Sequence, residues 1–94
     1  MATDTIKQKE KKSKDQPKIN EPWVVILFND DVHPFDQVIL QVQKATGCSL
    51  LDATRITFEA HSKGKAVAFS GEFAKCHLVA GILRQIQLIV EIRG

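Results

Sequence analysis

The chain has 94 residues, 44% of them apolar and 26% charged, with a net charge of +2. Six lysines and four acids fall in residues 1–21, leaving seven of the 13 basic and seven of the 11 acidic residues for 22–94. A neutral body offers a nucleic-acid backbone little to bind, and no apolar run approaches bilayer-spanning length, so neither nucleic acid nor membrane is an expected partner.

The first stretch, MATDTIKQKEKKSKDQPKINE, has no aromatic residue and few apolar ones. It cannot bury enough surface to offset the entropy of ordering, and residues 1–21 are expected to form a disordered tail ahead of one domain over 22–94. Cys48 and Cys76 are too few and too far apart for a zinc motif. With no secretory signal ahead of them, reduced thiols and a cytoplasmic setting are expected. No cofactor is implied, and a monomer is expected.

In chain order, WVVILF (23–28) predicts a strand covered on one face and possible to cover on both. Pro34 suits the first turn of a helix, where its missing N–H is not needed. Val38, Ile39, Val42 and Ala45 follow at helical spacing, and Gly47 suits a left-handed C-terminal stop. Ser49 with Asp52 resembles a capping box for a second helix, with Leu50, Ala53, Ile56 and Ala60 as its apolar stripe and Gly64 as its end. KAVAFS (65–70) reads as a short strand. A third helix is expected from Glu72 to about Ile86, with Phe73, Cys76, Ala80 and Leu83 on its buried face, and LIVEI (88–92) as the closing strand. The order β-α-α-β-α-β, with a three-stranded sheet and helices on one face, predicts an α+β two-layer sandwich.

The chemistry concentrates at two places. Asn29, Asp30 and Asp31 end the first strand just ahead of a helix, where their side chains can satisfy local backbone amides as a solvated Asx turn. His61 lies near the end of the second helix beside Thr57 and Phe58, where a histidine can be a core residue or one held by the helix dipole. Together, however, Asn29, Asp30, Asp31 and His61 form a set rich in acceptors and poor in donors. Such a set suits a ligand with donors only, and an ammonium group has three. Phe35, Val38, Thr57 and Ala60 would supply an apolar wall for whatever carries it.

NDDVHP followed by a helix, and DATRITFEAHSKGKA further on, resemble the Clp protease adaptor ClpS family, whose pattern is NDD-x-x-P, then AT with a histidine seven residues after the Thr, then GKA. The resemblance implies an adaptor that captures proteins by a free α-amino group and a bulky apolar first residue, an N-degron, and delivers them to a Clp unfoldase. It implies amine contacts at Asn29, Asp30, Asp31 and His61, and a first-residue pocket at His33, Phe35, Val38, Thr57, Ala60 and Leu88. It also implies a docking surface at Glu72, Cys76 and His77 for the N-terminal domain of a ClpA- or ClpC-type AAA+ unfoldase. Phe35 and Thr57 stand where the family often has methionine, Ala60 replaces a larger aliphatic, His33 stands where threonine is frequent, and His77 replaces a lysine.

Two other readings compete. The C-terminal domain of the bacterial ribosomal stalk protein shares the architecture and recruits factors through a charged helix; residues 36–62 are poor in lysine for that, and it has no use for the Asn-Asp-Asp turn. A metal or acid–base enzyme would draw on Asp30, Asp31, His33 and His61, but no nucleophile motif or phosphate loop accompanies them. No catalytic residue is expected.

Overall fold

A computed structural model describes residues 22–94; the expected disorder of residues 1–21 lies outside the described residues. The elements are β1 (Trp23–Phe28), α1 (Phe35–Thr46), α2 (Leu50–Lys63), β2 (Lys65–Gly71), α3 (Phe73–Arg84) and β3 (Val90–Arg93). The sheet order is β2-β1-β3, with both pairings antiparallel.

β1 is unbroken in its apolar residues because it is the central strand. Val25 and Leu27 point into the core formed with Val38 and Val42 of α1, Ala53 and Ala60 of α2, and Cys76, Ala80 and Leu83 of α3. Ile26 is also buried yet lies outside that cluster, on the sheet face the helices leave open. The pairing with β2 shifts between Val25 and Ile26, from Phe69 to Val67, so Ala68 is the extra residue of a bulge.

The helix ends follow the sequence signals. Gly47 and Gly64 both adopt left-handed backbone (φ 75° and 91°) and donate their N–H groups to Gln43 and Ala60, a conformation that a Cβ disfavours. Ser49 Oγ accepts from the Asp52 N–H at 3.0 Å. The capping box is only half made, because the Asp52 carboxylate turns to Arg55 instead. Pro34 is the residue just before α1 and its carbonyl accepts from Gln37 and Val38.

Four expectations need correction. Strand β3 begins two residues later than LIVEI suggests and reaches Arg93. Helix α3 stops at Arg84, and Gln87 takes φ 65°, while the N–H groups of Gln87 and Leu88 return to the carbonyls of Arg84 and Leu83. That reversal drops Leu88 into the core before strand pairing starts. Phe73 and Leu50, expected inside, are 49% and 58% exposed; Phe73 packs edge-on against Trp23, ring centroids 5.0 Å apart. Strand β2 gains Gly71.

Candidate functional site: an acceptor-rich turn beside an apolar recess

The turn between β1 and α1 is built by Asp30. Its Oδ1 accepts from the backbone N–H groups of Val32 (2.7 Å) and His33 (2.6 Å). Its Oδ2 lies 2.7 Å from His33 Nδ1, and the ring nitrogen donates. Burial alone would raise the Asp30 pKa, but these bonds to its charged form outweigh it, and the carboxyl is held below its ordinary 3.8. Asp30 is thus a scaffold as well as a charge.

Asn29 and Asp31 are arranged differently. Asn29 Nδ2 donates to Asp31 Oδ1 at 3.1 Å, which uses one of the two amide donors, fixes the orientation of the group and leaves its oxygen available. Among the described residues no cation pairs with Asp31. The Asn29 backbone N–H donates to the Gly64 carbonyl at 3.0 Å. That bond ties the turn to the end of α2, three residues beyond His61, and so brings together residues distant in sequence.

Beside the turn lies a narrow recess between α1 and α2. Leu27, Val38, Thr57 and Ala60 form its apolar walls, and Asn29, Asp30, His33, Phe35 and His61 also line it. Thr57 Oγ1 donates to the Ala53 carbonyl at 2.8 Å, so the hydroxyl is satisfied within the helix and adds no free donor. The Phe35 ring, 40% exposed, stands edge-on to His61 (centroids 5.4 Å) and to Phe58 (6.2 Å). The free volume is about 10 Å³, room for roughly one water. A Leu- or Phe-sized side chain exceeds that volume, so its entry requires lining side chains to move.

The structure brings Asn29, Asp30, His33, Phe35, Val38, Thr57, Ala60 and His61 to one recess. Asp31 is exposed just outside it, oriented by Asn29. His61 is exposed at the rim and not directed into the core. Leu88 is a correction: at 2% exposure it is a core residue beneath the turn that ends α3 and does not line the recess. Leu27 and Phe28 line it unexpectedly; the apolar end of β1 was the available signal, since a strand that feeds a functional turn must place its last residues beside it.

At the expected docking surface, Glu72 and His77 are exposed, but Cys76 is fully buried, with its thiol 3.7 Å from the Gly71 carbonyl. Burial pushes the Cys76 thiol pKa up. Cys76 is therefore corrected to a core residue. The exposed surface there is Glu72 with Phe73, whose ring lies between Trp23 and His77. Both cysteines are unpaired thiols. Among the described residues no three His, Cys, Asp or Glu side chains gather as metal ligands, and no helix is long and apolar enough to cross a membrane.

Fold and site define a small two-layer α+β domain with acceptors gathered beside an apolar recess. The chain belongs to the family of the ATP-dependent Clp protease adaptor protein ClpS, which residues 18–88 match. It is 35% identical over 68 residues to the ClpS adapter of Corynebacterium jeikeium, covering 72% of this chain and 64% of that protein. It is also 35% identical over 57 residues to the human E3 ubiquitin-protein ligase UBR1, covering 61% of this chain and 3% of the ligase. The ClpS adapter of Rhodococcus jostii is 38% identical over 52 residues, 55% of this chain and 46% of the adapter, so the chain spans about half the length of that relative. In fold it is similar to Agrobacterium tumefaciens ClpS2 bound to L-phenylalaninamide, with a TM-score of 0.69 and 21% identity, covering 79% of this chain and 99% of the other.

Proposed function

We propose that the protein is a substrate-recognition adaptor for a Clp ATP-dependent protease. It binds the free α-amino group and bulky apolar first residue of N-degron proteins and delivers them to a ClpA- or ClpC-type unfoldase. The observation that carries this reading is the pairing of unspent acceptors with an apolar recess. Asn29 Oδ1, the Asp31 carboxylate and the His61 ring border the recess, while His33 Nδ1 and one N–H of the Asn29 amide are spent on the carboxylates of the turn. An ammonium supplies three donors and a positive charge to that set. Capture of an N-terminal amine is a recurring mode of peptide recognition.

The side chain of the first residue takes the place of the Phe35 ring. That ring is held by two edge contacts, each worth about 0.5–1.5 kcal/mol, and its displacement is offset by burying a Leu- or Phe-sized side chain at about 1.5–3 kcal/mol. Docking on the unfoldase uses the exposed Glu72 and His77, with Phe73 between them in the same surface. Family membership supports the adaptor role. The likeness to UBR1 and to an amino-acid-amide complex of ClpS2 supports the choice of ligand. The reading is tested by assisted degradation: a reporter beginning with Leu or Phe is degraded faster by a Clp unfoldase and its peptidase when the protein is added, and a reporter beginning with Ser is not. No acceleration with either unfoldase type would contradict it.

A further inference from the structure

We infer that the site selects beyond the first residue: an exposed apolar stripe on α2, centred on Phe58, receives an aliphatic or aromatic side chain at the second or third position of the captured segment. This rests on the proposed function and names the substrate features that the same site distinguishes. Phe58 and Leu51 are 59% and 72% exposed, although the core of α2 is already complete with Ala53, Thr57 and Ala60. Leu51, Thr54, Phe58 and His61 recur at intervals of three and four, which places them along one face of the helix.

The stripe is continuous with the recess. Phe35 contacts both His61 and Phe58, and the two ring-to-ring steps of 5.4 and 6.2 Å put Phe58 within about 12 Å of His61. An extended chain covers that span in roughly three residues. Along the edge of the stripe, Thr54 Oγ1 donates to the Leu50 carbonyl and Ser62 Oγ to the Phe58 carbonyl, and Arg55 is paired with Asp52. Thr54, Ser62 and Arg55 are therefore satisfied within the helix, and what Leu51 and Phe58 offer a passing peptide is apolar surface. It is one helix wide and ends at the recess, which suits an extended segment better than a second copy, whose stable docking would need roughly 800 Å² per partner.

The test uses the full chain and peptides that share a Leu first residue and a free amine, with Ser, Asp, Leu or Phe at position two or three. Leu or Phe at one of those positions should bind at least about threefold tighter than Ser. The ratio should fall to one in Phe58→Ser and return in Phe58→Leu; thermal melts would verify that both variants are folded. A flat series among peptides that do bind, or a preference that survives in Phe58→Ser, overturns this inference alone. Self-association that Phe58→Ser abolishes, alongside a flat series, assigns the stripe to a second copy and overturns it too. Failure of every free-amine peptide to bind overturns the proposed function and this inference with it.

Discussion

Replacing Asp30 and Asp31 by alanine, one at a time, separates two roles that adjacent carboxylates in one turn would otherwise blur. Asp30 accepts two backbone N–H groups and the His33 ring nitrogen. Hydrogen bonds to a charged acceptor contribute about 1.5–3 kcal/mol each when buried. Here water can reach the exposed Val32 once the carboxylate is gone, so the loss is about 2 kcal/mol in total, or roughly 8–16 °C in Tm for a domain of this size. Asp31 has one exposed bond, from Asn29; its removal should change stability by less than about 0.5 kcal/mol. The same substitution takes a charge from the amine site and should weaken peptide binding by about 1–2 kcal/mol, some five- to thirtyfold in Kd.

The pH dependence supplies a second signature. The Asp30 pKa is lowered in the folded protein, so its ionisation stabilises the fold above 3.8 and that contribution is lost as pH falls through the depressed folded value. The melting difference between wild type and Asp30→Ala should therefore be full at neutral pH and narrow in strong acid. Calorimetric melts at several pH values and peptide anisotropy at neutral pH provide both readouts. An Asp30→Ala protein that melts like wild type but no longer binds would make Asp30 a ligand contact and refute its assignment as scaffold. An Asp31→Ala protein that melts early and binds normally would reverse the two roles.

Phe35→Ala should open the recess and strengthen binding of peptides beginning with Phe or Trp by about fivefold or more, since roughly 1 kcal/mol of edge contact no longer has to be broken; weaker binding in the same titration would show that the ring is a wall of the bound state. In this reading the His61 ring accepts from the ammonium, so His61→Ala should weaken peptide binding by about 1 kcal/mol, roughly fivefold in Kd, at unchanged thermal stability. Wild-type affinity in the same titration would remove the ring from the amine site. Deleting residues 1–21 should leave the peptide Kd within about twofold, because every residue lining the recess lies between Leu27 and His61, and should impair assisted degradation, because a polar segment of that length can reach from a docked domain to a neighbouring surface.

Much of the fold was legible because local signals and tertiary needs agree. WVVILF is apolar throughout since β1 is flanked by two strands, and Gly47 and Gly64 mark helix ends because the backbone there is left-handed. The end of α3 was not legible: Gln87 adopts a conformation usually given to glycine, so nothing in the sequence announces the reversal that carries Leu88 into the core. That hidden turn explains both the shifted β3 and the misplaced pocket residue. Cys76 was misassigned because Glu72, just ahead of α3, and His77 within it are both exposed while Cys76, next to His77, faces the core. At the site, the residue types could be read from the sequence but their division of labour could not. Which aspartate builds the turn and which remains uncovered depends on hydrogen bonds that span two or three residues and on the bond from Asn29 to Gly64, across the fold.

The most direct measurement is isothermal calorimetry with two peptides identical in sequence and beginning with Leu, one with a free amine and one acetylated. Acetylation removes the charge and two of three donors, leaving at least two acceptors unpaired at about 1–3 kcal/mol each. The account predicts that the free peptide binds and that the acetylated one binds at least about thirtyfold more weakly. Equal affinities would contradict it, because the turn and His61 would then play no part in recognising an amine.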